Sequence, residues 1–508
     1  MTVTSLGFLV LVAVGAAVYY IVPKKLQWVE LLVLSLVFYW FAGTPWTIVY
    51  LVASTAIAYL STMWVKKLRA EEKPQKTAFA VTIAALVINI LIWFIVKGQD
   101  LWTFILSEDS RKGLHILAAL GMGYYTLQIL GYIIDCYWES EEPQENPFKL
   151  FLFTAYFPQL TTGPISRYGQ LKTLYDPHPF EFDNLKFGAQ RMLWGFAKKI
   201  VLAERVGVIV AAITSAPQDY SGFYSWITIL LYPVQMYADF SGCMDIILGV
   251  SEIFGIRLAE NFTNPFFTRT SQEFWQHWHI TLGSWARDYV LYPMLKSGPI
   301  VRFGKKLREK HGRKVSKSIV NLICMFILWM VVGVWHGGVR FIVGVSLWYW
   351  IILMLGEFLQ PTFKKIIEAL KIKTESFGWH LFQSVRTYLI YAFGATFFCV
   401  GVVPGLKILG NALGLYSFGN NSGIGVLFDG SMLKFGLTGE DYIIIALMIV
   451  LLFVVGILRE RKGYARIWVD ERPFAVKLII YLCLFVLVLV WGRYGPGFDA
   501  TQFIYGSF

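Results

Sequence analysis

The sequence predicts an all-α polytopic integral membrane protein, with roughly eleven transmembrane helices of about 20 residues each and further re-entrant or interfacial helices. Two observations support this prediction. Of the 508 residues, 56% are hydrophobic and only 15% are charged, which is a more apolar composition than soluble domains use. Apolar runs long enough to cross hydrocarbon also recur along the whole chain. We therefore expect the protein to fold in a bilayer.

The predicted spans follow one another with short polar connections. They lie near residues 5–23, 28–44, 46–64, 78–97, 114–136, 222–248, 319–338, 341–358, 381–403, 442–458 and 475–492. Lys24 and Lys25 follow the first span, and a second basic cluster at 66–76 follows the third. Because basic residues favour the cytoplasmic side, the N-terminus is expected outside. The first apolar run precedes its lysines, so we expect a retained span rather than a cleaved signal peptide.

Two apolar regions, 144–215 and 254–300, are interrupted by proline, glycine and charge, as in "FPQLTTGPISRY". Irregular backbone at membrane depth is tolerated inside protein, so both are predicted to be re-entrant or interfacial. The hydrophilic insertions are too short to fold alone. We expect one membrane-embedded domain over 1–508. Its parts would be N-terminal spans 1–136, a motif-bearing core 144–360 and C-terminal spans 361–508.

The most basic segment of the chain is "SGPIVRFGKKLREKHGRKVSKS" at 297–318, which carries eight Lys/Arg residues against Glu309. It is predicted to be a cytoplasmic loop that obeys the positive-inside rule or contacts anionic lipid. It could also dock an anionic cytoplasmic donor, such as a coenzyme A thioester or an acidic carrier protein. Lys305, Lys306 and Arg308 are the candidate docking residues.

The stretch "EFWQHWHITLGSWARDYVLYPM" at 273–294 concentrates aromatic and polar residues. If it is helical, one apolar stripe comprises Trp275, Trp278, Leu282 and Trp285. His277 and His279 would then point to nearly opposite sides, so at most one is expected to face chemistry. Taken alone, each histidine is also explained by structural packing.

His336 closes an apolar run that begins near Ile319. An ionisable residue inside a span is costly and suggests function. If Ser318 marks the cytoplasmic boundary, the helical rise carries His336 about 27 Å along the helix, past the midplane. The five cysteines are scattered singly with no histidine at metal spacing, so no metal site is predicted.

A series of short motifs gives these residues a common context. The motifs are "YADFSG" at 237–242, "ENFTNPF" at 260–266, "EFWQHWHITLGSWARDYVLYP" at 273–293 and "GVWHGG" at 333–338. In this order they resemble the motifs of membrane-bound O-acyltransferases. "YFPQLTTGP" at 156–164 and the ending "FDATQFIYGSF" are similar to the bacterial alginate O-acetyltransferase-like branch.

The resemblance implies helices around a central tunnel and a transmembrane acyl relay. The donor would be acetyl-CoA or an acyl-carrier thioester at the cytoplasmic face, with no bound cofactor. The acceptor would be a cell-envelope polysaccharide, reached directly or through an extracytoplasmic esterase-fold acetyltransferase partner. The location implied is the inner (cytoplasmic) membrane of a bacterial cell, as a multi-pass protein, and no nucleic-acid partner is expected.

The resemblance also assigns residues. His336 matches the prime catalytic histidine of the family and His279 the second. The candidate tunnel-lining, substrate-binding or structural residues are Trp275, Trp278, Trp335, Asn261, Asp239, Arg287 and Asp288. His277 stands where many relatives have Arg, which leaves the acceptor open.

Two other functions remain alternatives to polysaccharide acetylation. Transfer of D-alanine from a carrier protein to teichoic acid is the first. A polytopic transporter or flippase is a more remote one, because it should show inverted repeats, and none is evident.

Overall fold

The computed structural model describes residues 1–103, 117, 119–217, 219–220, 222–415 and 423–494. Within these ranges the regular secondary structure is helical, and one isolated β-bridge joins Phe262 to Trp278. The aromatic ending at 498–508 and the start of the predicted fifth span lie outside the described residues. The chain is thus an all-α protein, as its composition and apolar runs predict.

The helices of the first half follow the predicted spans. They are α1 Leu6–Ile21, α2 Gln27–Ala42, α3 Ile48–Ala70, α4 Gln75–Val96, α5 Met122–Tyr137 and α6 Pro147–Ala155. Local sequence explains several starts. The Ser5 side chain accepts from the Phe8 amide at the start of α1, and Asn146 caps α6 just ahead of a proline at its first position.

The second half contains the longest helices. The helical run α7 joins Phe182–Phe196, a π-helical turn Ala197–Ala203 and Glu204–Ser215. It is followed by α8 Phe223–Ile253, α9 Ser271–His277, α10 Ile280–Ala286, α11 Gly298–His336, α12 Gly338–Ala369, α13 Phe377–Val400, α14 Val402–Ala412, α15 Gly439–Lys462, α16 Ala465–Asp470 and α17 Phe474–Trp491. The buried aromatic and aliphatic side chains of these helices belong mainly to one continuous core, and Ile229, Ala392 and Ile408 form a smaller second cluster.

Seven helices among the described residues are long and apolar enough to cross a membrane. They are Lys24–Ala42, Pro45–Ala70, Gln75–Val96, Gly298–His336, Gly338–Ala369, Gly439–Lys462 and Phe474–Trp491. The other predicted spans also fall on helices, of which α5 and α8 are largely buried and carry more polar side chains. The chain is therefore a multi-pass membrane protein, and the count of eleven crossings stays a prediction.

The prediction of broken backbone is wrong for the second half of 144–215, because α7 is one continuous helical run. Glycines explain the difference. A Cβ at Gly188 would lie 2.6 Å from the Gly249 carbonyl oxygen, and one at Gly195 equally far from that of Gly242. These pairs hold α7 antiparallel and close to α8, as small residues do between membrane helices. In this segment the glycines allow close helix packing. The irregular backbone lies between α6 and α7.

The region 254–300 is broken, as predicted, but the break falls at an unexpected place. His279 has φ 47° in the left-handed region, so α9 ends at His277 and α10 begins at Ile280. The predicted single helical stripe of tryptophans is therefore wrong. After α10 the chain continues through the π-helical turn Arg287–Leu291 and the short helix Tyr292–Lys296.

The basic segment 297–318 is helical, which corrects the predicted loop. It forms the start of α11, with a sharp bend at Gly312, where φ is 81°. Ser316 Oγ donates to the Gly304 carbonyl oxygen at 2.7 Å, so the part before the bend packs back onto the part after it. Lysine and arginine favour helix as readily as loop, and charge alone cannot distinguish them. We call residues 298–311 the basic arm.

Candidate active site

A cavity of about 390 Å³ lies among helices α8 to α13. Both His279 and His336 line it, although they are far apart in the sequence. Its deep wall is formed by buried aromatic side chains, those of Trp278, Tyr391 and Phe398. The fold thus brings the two predicted catalytic histidines to one enclosed, mainly apolar space.

The opposite side of this cavity is polar and exposed. Its rim includes Gln272, Gln276 and Arg287, whose side chains reach the surface. Along the chain, Arg287 begins two short helical segments, Arg287–Leu291 and Tyr292–Lys296, and the basic arm follows them. The cavity therefore extends from an exposed polar rim to the histidines.

Asn261 organises the turn that carries His279. Its side-chain oxygen accepts from the Thr281 amide at 3.0 Å and from Thr281 Oγ1 at 2.7 Å, while His279 Nδ1 lies 3.4 Å away. Its carbonyl oxygen accepts from the Ile280 amide at 3.1 Å. These bonds tie the strand-like segment before α9 to the start of α10, and they fix the left-handed conformation of His279. The imidazole then packs edge-on against Phe240, with ring centroids 4.9 Å apart.

His336 is the last residue of α11 and is buried. Its ring stacks on Phe341 at 5.6 Å between centroids and meets Phe398 edge-on at 6.1 Å. Gly337 and Gly338 have φ of 90° and 66°, which reverses the chain into α12 directly behind the imidazole. A Cβ at Gly333 would collide with Ser346 Oγ of α12. Gly333, Gly337 and Gly338 therefore permit this close turn.

Trp335 contacts both histidines. Its ring centroid lies 4.7 Å from that of His336 and 6.0 Å from that of His279. Its indole nitrogen donates to the Gly123 carbonyl oxygen at 2.9 Å, which fixes the ring against α5. Trp335 supports the imidazoles from behind and does not line the cavity itself.

The contacts of Trp335, the residue before His336, indicate how deep His336 lies in the membrane. A Cβ at Gly123 would lie 3.6 Å from the Trp335 ring and 3.8 Å from Lys97 Cε. Lys97 caps the end of α4 that lies opposite its basic start at Lys76. If the basic start is cytoplasmic, His336 lies towards the outer end of the bundle, consistent with the 27 Å rise expected along α11.

The remaining predicted site residues divide into two groups. Trp275, Trp278 and Arg287 line the cavity, whereas Asp239, Asn261, Trp335 and Asp288 lie behind its wall. Trp275 packs against Trp329 and Tyr349, with centroids 5.0 and 4.7 Å away. The structure therefore brings most of the predicted residues into or directly around one site.

Asp239 belongs to a buried ion cluster beside the site. It pairs with Lys199, whose ammonium also binds Glu204 at 2.7 Å. Neighbouring Lys198 binds Asp245 at 2.6 Å and Ser241 Oγ at 2.8 Å. Buried charges need such partners. Asp239 thus links α8 to α7 through an ion pair.

Asp288 holds the rim in place. Its carboxylate pairs with Arg167 and accepts from Arg287 Nε at 3.1 Å. The next residue, Tyr289, donates to Asp135 Oδ2 at 2.7 Å. Arg287 itself is half exposed, so its guanidinium can still meet an anionic ligand at the rim.

The basic docking candidates and His277 lie elsewhere. Lys305, Lys306 and Arg308 are exposed on the basic arm and do not line the cavity. His277 Nδ1 contacts Thr263, with Thr263 Oγ1 2.9 Å away, and the ring is not in the cavity wall. Of His277 and His279, only His279 lines the cavity. The left-handed backbone at His279 causes this difference, whereas the prediction had relied on helical periodicity.

Sequence analysis missed several aromatic residues of the site. Tyr349 donates to the Tyr391 carbonyl oxygen at 2.9 Å, and both line the cavity together with Trp329 and Phe398. They lie in apolar spans where aromatic side chains are ordinary, so no sequence signal marks them. In the part of the chain that the structure describes, no three His, Cys, Asp or Glu residues come close enough to hold a metal. His279 and His336 are the imidazoles that line the cavity, and an imidazole can accept and donate protons near neutral pH.

Comparison with known sequences shows which family has this arrangement. The sequence profile of the membrane-bound O-acyltransferase family matches residues 34–402, well over half of the chain. The chain belongs to the membrane-bound O-acyltransferase family. The matched residues include every motif named above except the aromatic ending.

Three relatives of this membrane-bound O-acyltransferase are named for different activities. A probable alginate O-acetylase of Pseudomonas syringae pv. tomato is 31% identical over 280 residues, 54% of this chain and 51% of that protein. A peptidoglycan O-acetyltransferase of Helicobacter pylori is 28% identical over 287 residues, 50% and 51% of the two chains. A teichoic acid D-alanyltransferase of Bacillus subtilis is 27% identical over 258 residues, 50% and 62%. The chain thus spans about half the length of the first two.

Proposed function

We propose that the protein transfers acetyl groups from a cytoplasmic thioester to an extracytoplasmic cell-envelope polysaccharide, directly or through a partner protein. The observation that carries this proposal is the shared cavity of His279 and His336 in a chain of this family. The donor is acetyl-CoA or an acyl-carrier thioester. The location is the inner (cytoplasmic) membrane of a bacterial cell, and the partner is an extracytoplasmic esterase-fold acetyltransferase.

In this proposal His336 acts as the proton carrier. The attacking hydroxyl oxygen forms a bond to the thioester carbonyl carbon while the imidazole of His336 takes its proton. The carbon–sulfur bond then breaks, and the same proton passes to the departing thiolate. His279, which shares the cavity and the Trp335 contact, orients the reacting groups. The buried walls of Trp278, Tyr391 and Phe398 limit competing hydrolysis by water.

The donor is proposed to enter at the rim. Arg287 is exposed there, and the basic arm follows it after two short helical segments. Donor phosphates would meet Arg287 and the arm, while the acyl end reaches Trp275, Trp278 and the histidines. Asn261, Asp239, Trp335 and Asp288 support this path without contacting the acyl group.

The product released from the envelope polymer distinguishes the candidate acyl groups. Cells with the intact gene, a deletion and a His336→Ala allele are compared after mild alkaline release of ester-linked groups. We expect gene-dependent acetate. Gene-dependent D-alanine would instead favour the D-alanyl transfer for which the teichoic acid relatives are named, and the absence of any gene-dependent ester would contradict acyl transfer.

The basic arm allows a test of donor docking. Replacement of Lys305, Lys306 and Arg308 by Gln should raise the KM for the thioester about ten-fold while kcat changes little, because these exposed charges attract the donor without touching reacting atoms. High salt should reproduce the loss in the unmodified protein. The matched control replaces exposed Arg313, Lys314 and Lys317, which follow the bend. Equal effects of the two triple variants would contradict a specific docking role for the arm.

The predicted topology is testable through the same arm. Ser316 is buried, so a cysteine reporter belongs at exposed Lys310 instead. With exposed Cys483 replaced by Ser, Lys310→Cys should resist a membrane-impermeant thiol reagent in intact cells and react after permeabilisation, since basic segments stay inside. Lys434→Cys, in the segment before α15, should react in both states. Labelling of Lys310→Cys in intact cells would place the arm outside.

A further inference from the structure

A second cavity, of about 800 Å³, lies between α15 and α17 and away from the histidines. Its walls are mainly apolar, with Leu451, Leu484 and Leu487 among the lining side chains. Both flanking helices are apolar enough to cross the membrane. We call this cavity the α15–α17 cleft. In a bilayer the α15–α17 cleft would face lipid acyl chains, and its apolar walls are suited to bind one.

A polar pocket of about 250 Å³ adjoins one end of the cleft. The two share Arg191, Tyr464 and Arg466, and the pocket adds Glu252 and Arg257. An apolar cleft that ends in a polar pocket matches a molecule with a chain and a charged headgroup. A small free anion would use only the pocket.

The charges around this pocket do not cancel. The ion pairs of the pocket and of its immediate neighbours comprise five cations, Arg191, Lys198, Arg257, Arg459 and Arg466, and three carboxylates, Asp245, Glu252 and Glu260. Arg191 and Arg466 have close partners, at 2.7 and 2.5 Å. Arg459 lies 4.0 Å from Glu260, which already binds Arg191, and its guanidinium stands 5.2 Å from the centre of the Tyr464 ring. These groups therefore carry a net positive charge, and Arg459 has the longest ion-pair contact among them.

The position of Arg459 along α15 indicates the leaflet. It is followed by Arg461 and Lys462 at the end of that span, the end that the positive-inside rule puts in the cytoplasm. The cytoplasmic leaflet carries anionic headgroups. Tyr464 lies at the same level, where amphipathic aromatic rings meet headgroups.

We propose that the α15–α17 cleft binds one anionic glycerophospholipid of the inner leaflet. An acyl chain lies against Leu451, Leu484 and Leu487, and the phosphate lies at Arg459 and Arg466. The site is separate from the histidine cavity, and its occupancy can be measured without measuring acyl transfer.

Lipid retention by the full-length protein tests this site. The protein is reconstituted in bilayer discs of equal parts phosphatidylglycerol and phosphatidylcholine, extracted mildly and weighed by native mass spectrometry. We expect one retained phosphatidylglycerol. Arg459→Gln should lower its retention about five-fold, the effect of one cation at a lipid surface, while Arg461→Gln, exposed on the same helix, should not. Equal retention of the two lipids, or equal loss in both variants, would overturn the proposal.

A second variant tests the apolar part and does not touch the ion pairs. Val486 lines the cleft and is 47% exposed, whereas Val490, one turn later and 64% exposed, does not line it. Val486→Trp should fill the cleft and reduce retention, and Val490→Trp should leave it unchanged. Unchanged retention in Val486→Trp, with native elution on gel filtration, would also overturn the proposal.

Discussion

Replacement of His336 by Ala is expected to abolish envelope acylation, by at least a hundred-fold, without lowering the amount of protein in the membrane. The imidazole is buried at the end of α11 and lines the shared cavity. Removing a polar group from an apolar wall need not unfold the span. His336→Gln keeps a hydrogen-bonding group but carries no proton, so it should be nearly as inactive. The measurement is ester-linked acyl groups on the polymer, normalised by immunoblot.

His277 provides the matched control for this experiment. It lies on the same short motif as His279 but contacts Thr263, outside the cavity. His277→Arg should retain most of the activity. Near-normal acylation by His336→Ala would return His336 to a packing role, and inactive His277→Arg at normal abundance would show that the cavity does not define the site.

The fold was largely predictable because a bilayer constrains helix length. Within the described residues the predicted spans fall mainly on helices, and the break within 254–300 was foreseen. The continuity of α7 was not foreseen, because glycine weakens an isolated helix. Here Gly188 and Gly195 instead let α8 approach closely. The helical basic arm was missed for a related reason: its stability comes from packing across Gly312, which charge patterning does not show.

The residues of the candidate site could be selected from the sequence, but their geometry could not. The motifs singled out both histidines, and their common cavity is a property of the fold. Asp239 was expected near the tunnel, but its role depends on Lys199 of another helix, which no local pattern identifies. The left-handed turn at His279 likewise depends on Asn261, eighteen residues earlier.

Asn261→Ala is expected to lower acyl transfer by about ten- to a hundred-fold through the position of His279. The variant removes the acceptor for the Thr281 amide and hydroxyl. A buried donor left without a partner costs about 1–3 kcal/mol, so the turn should relax and the imidazole should leave its place beside Phe240. Since the rim and basic arm are unchanged, the KM for the donor should stay close to that of the unmodified protein, and the loss should appear in kcat.

A double-mutant cycle separates positioning from general loss of structure. His279→Ala alone should also impair transfer. If Asn261 acts through His279, then adding Asn261→Ala to His279→Ala should cause little further loss, because the imidazole it positions is already gone. A merely structural role predicts the opposite, namely losses that multiply and a fall in thermal stability that tracks them. If the two losses in kcat multiply at unchanged membrane abundance, Asn261 serves the fold and not the histidine.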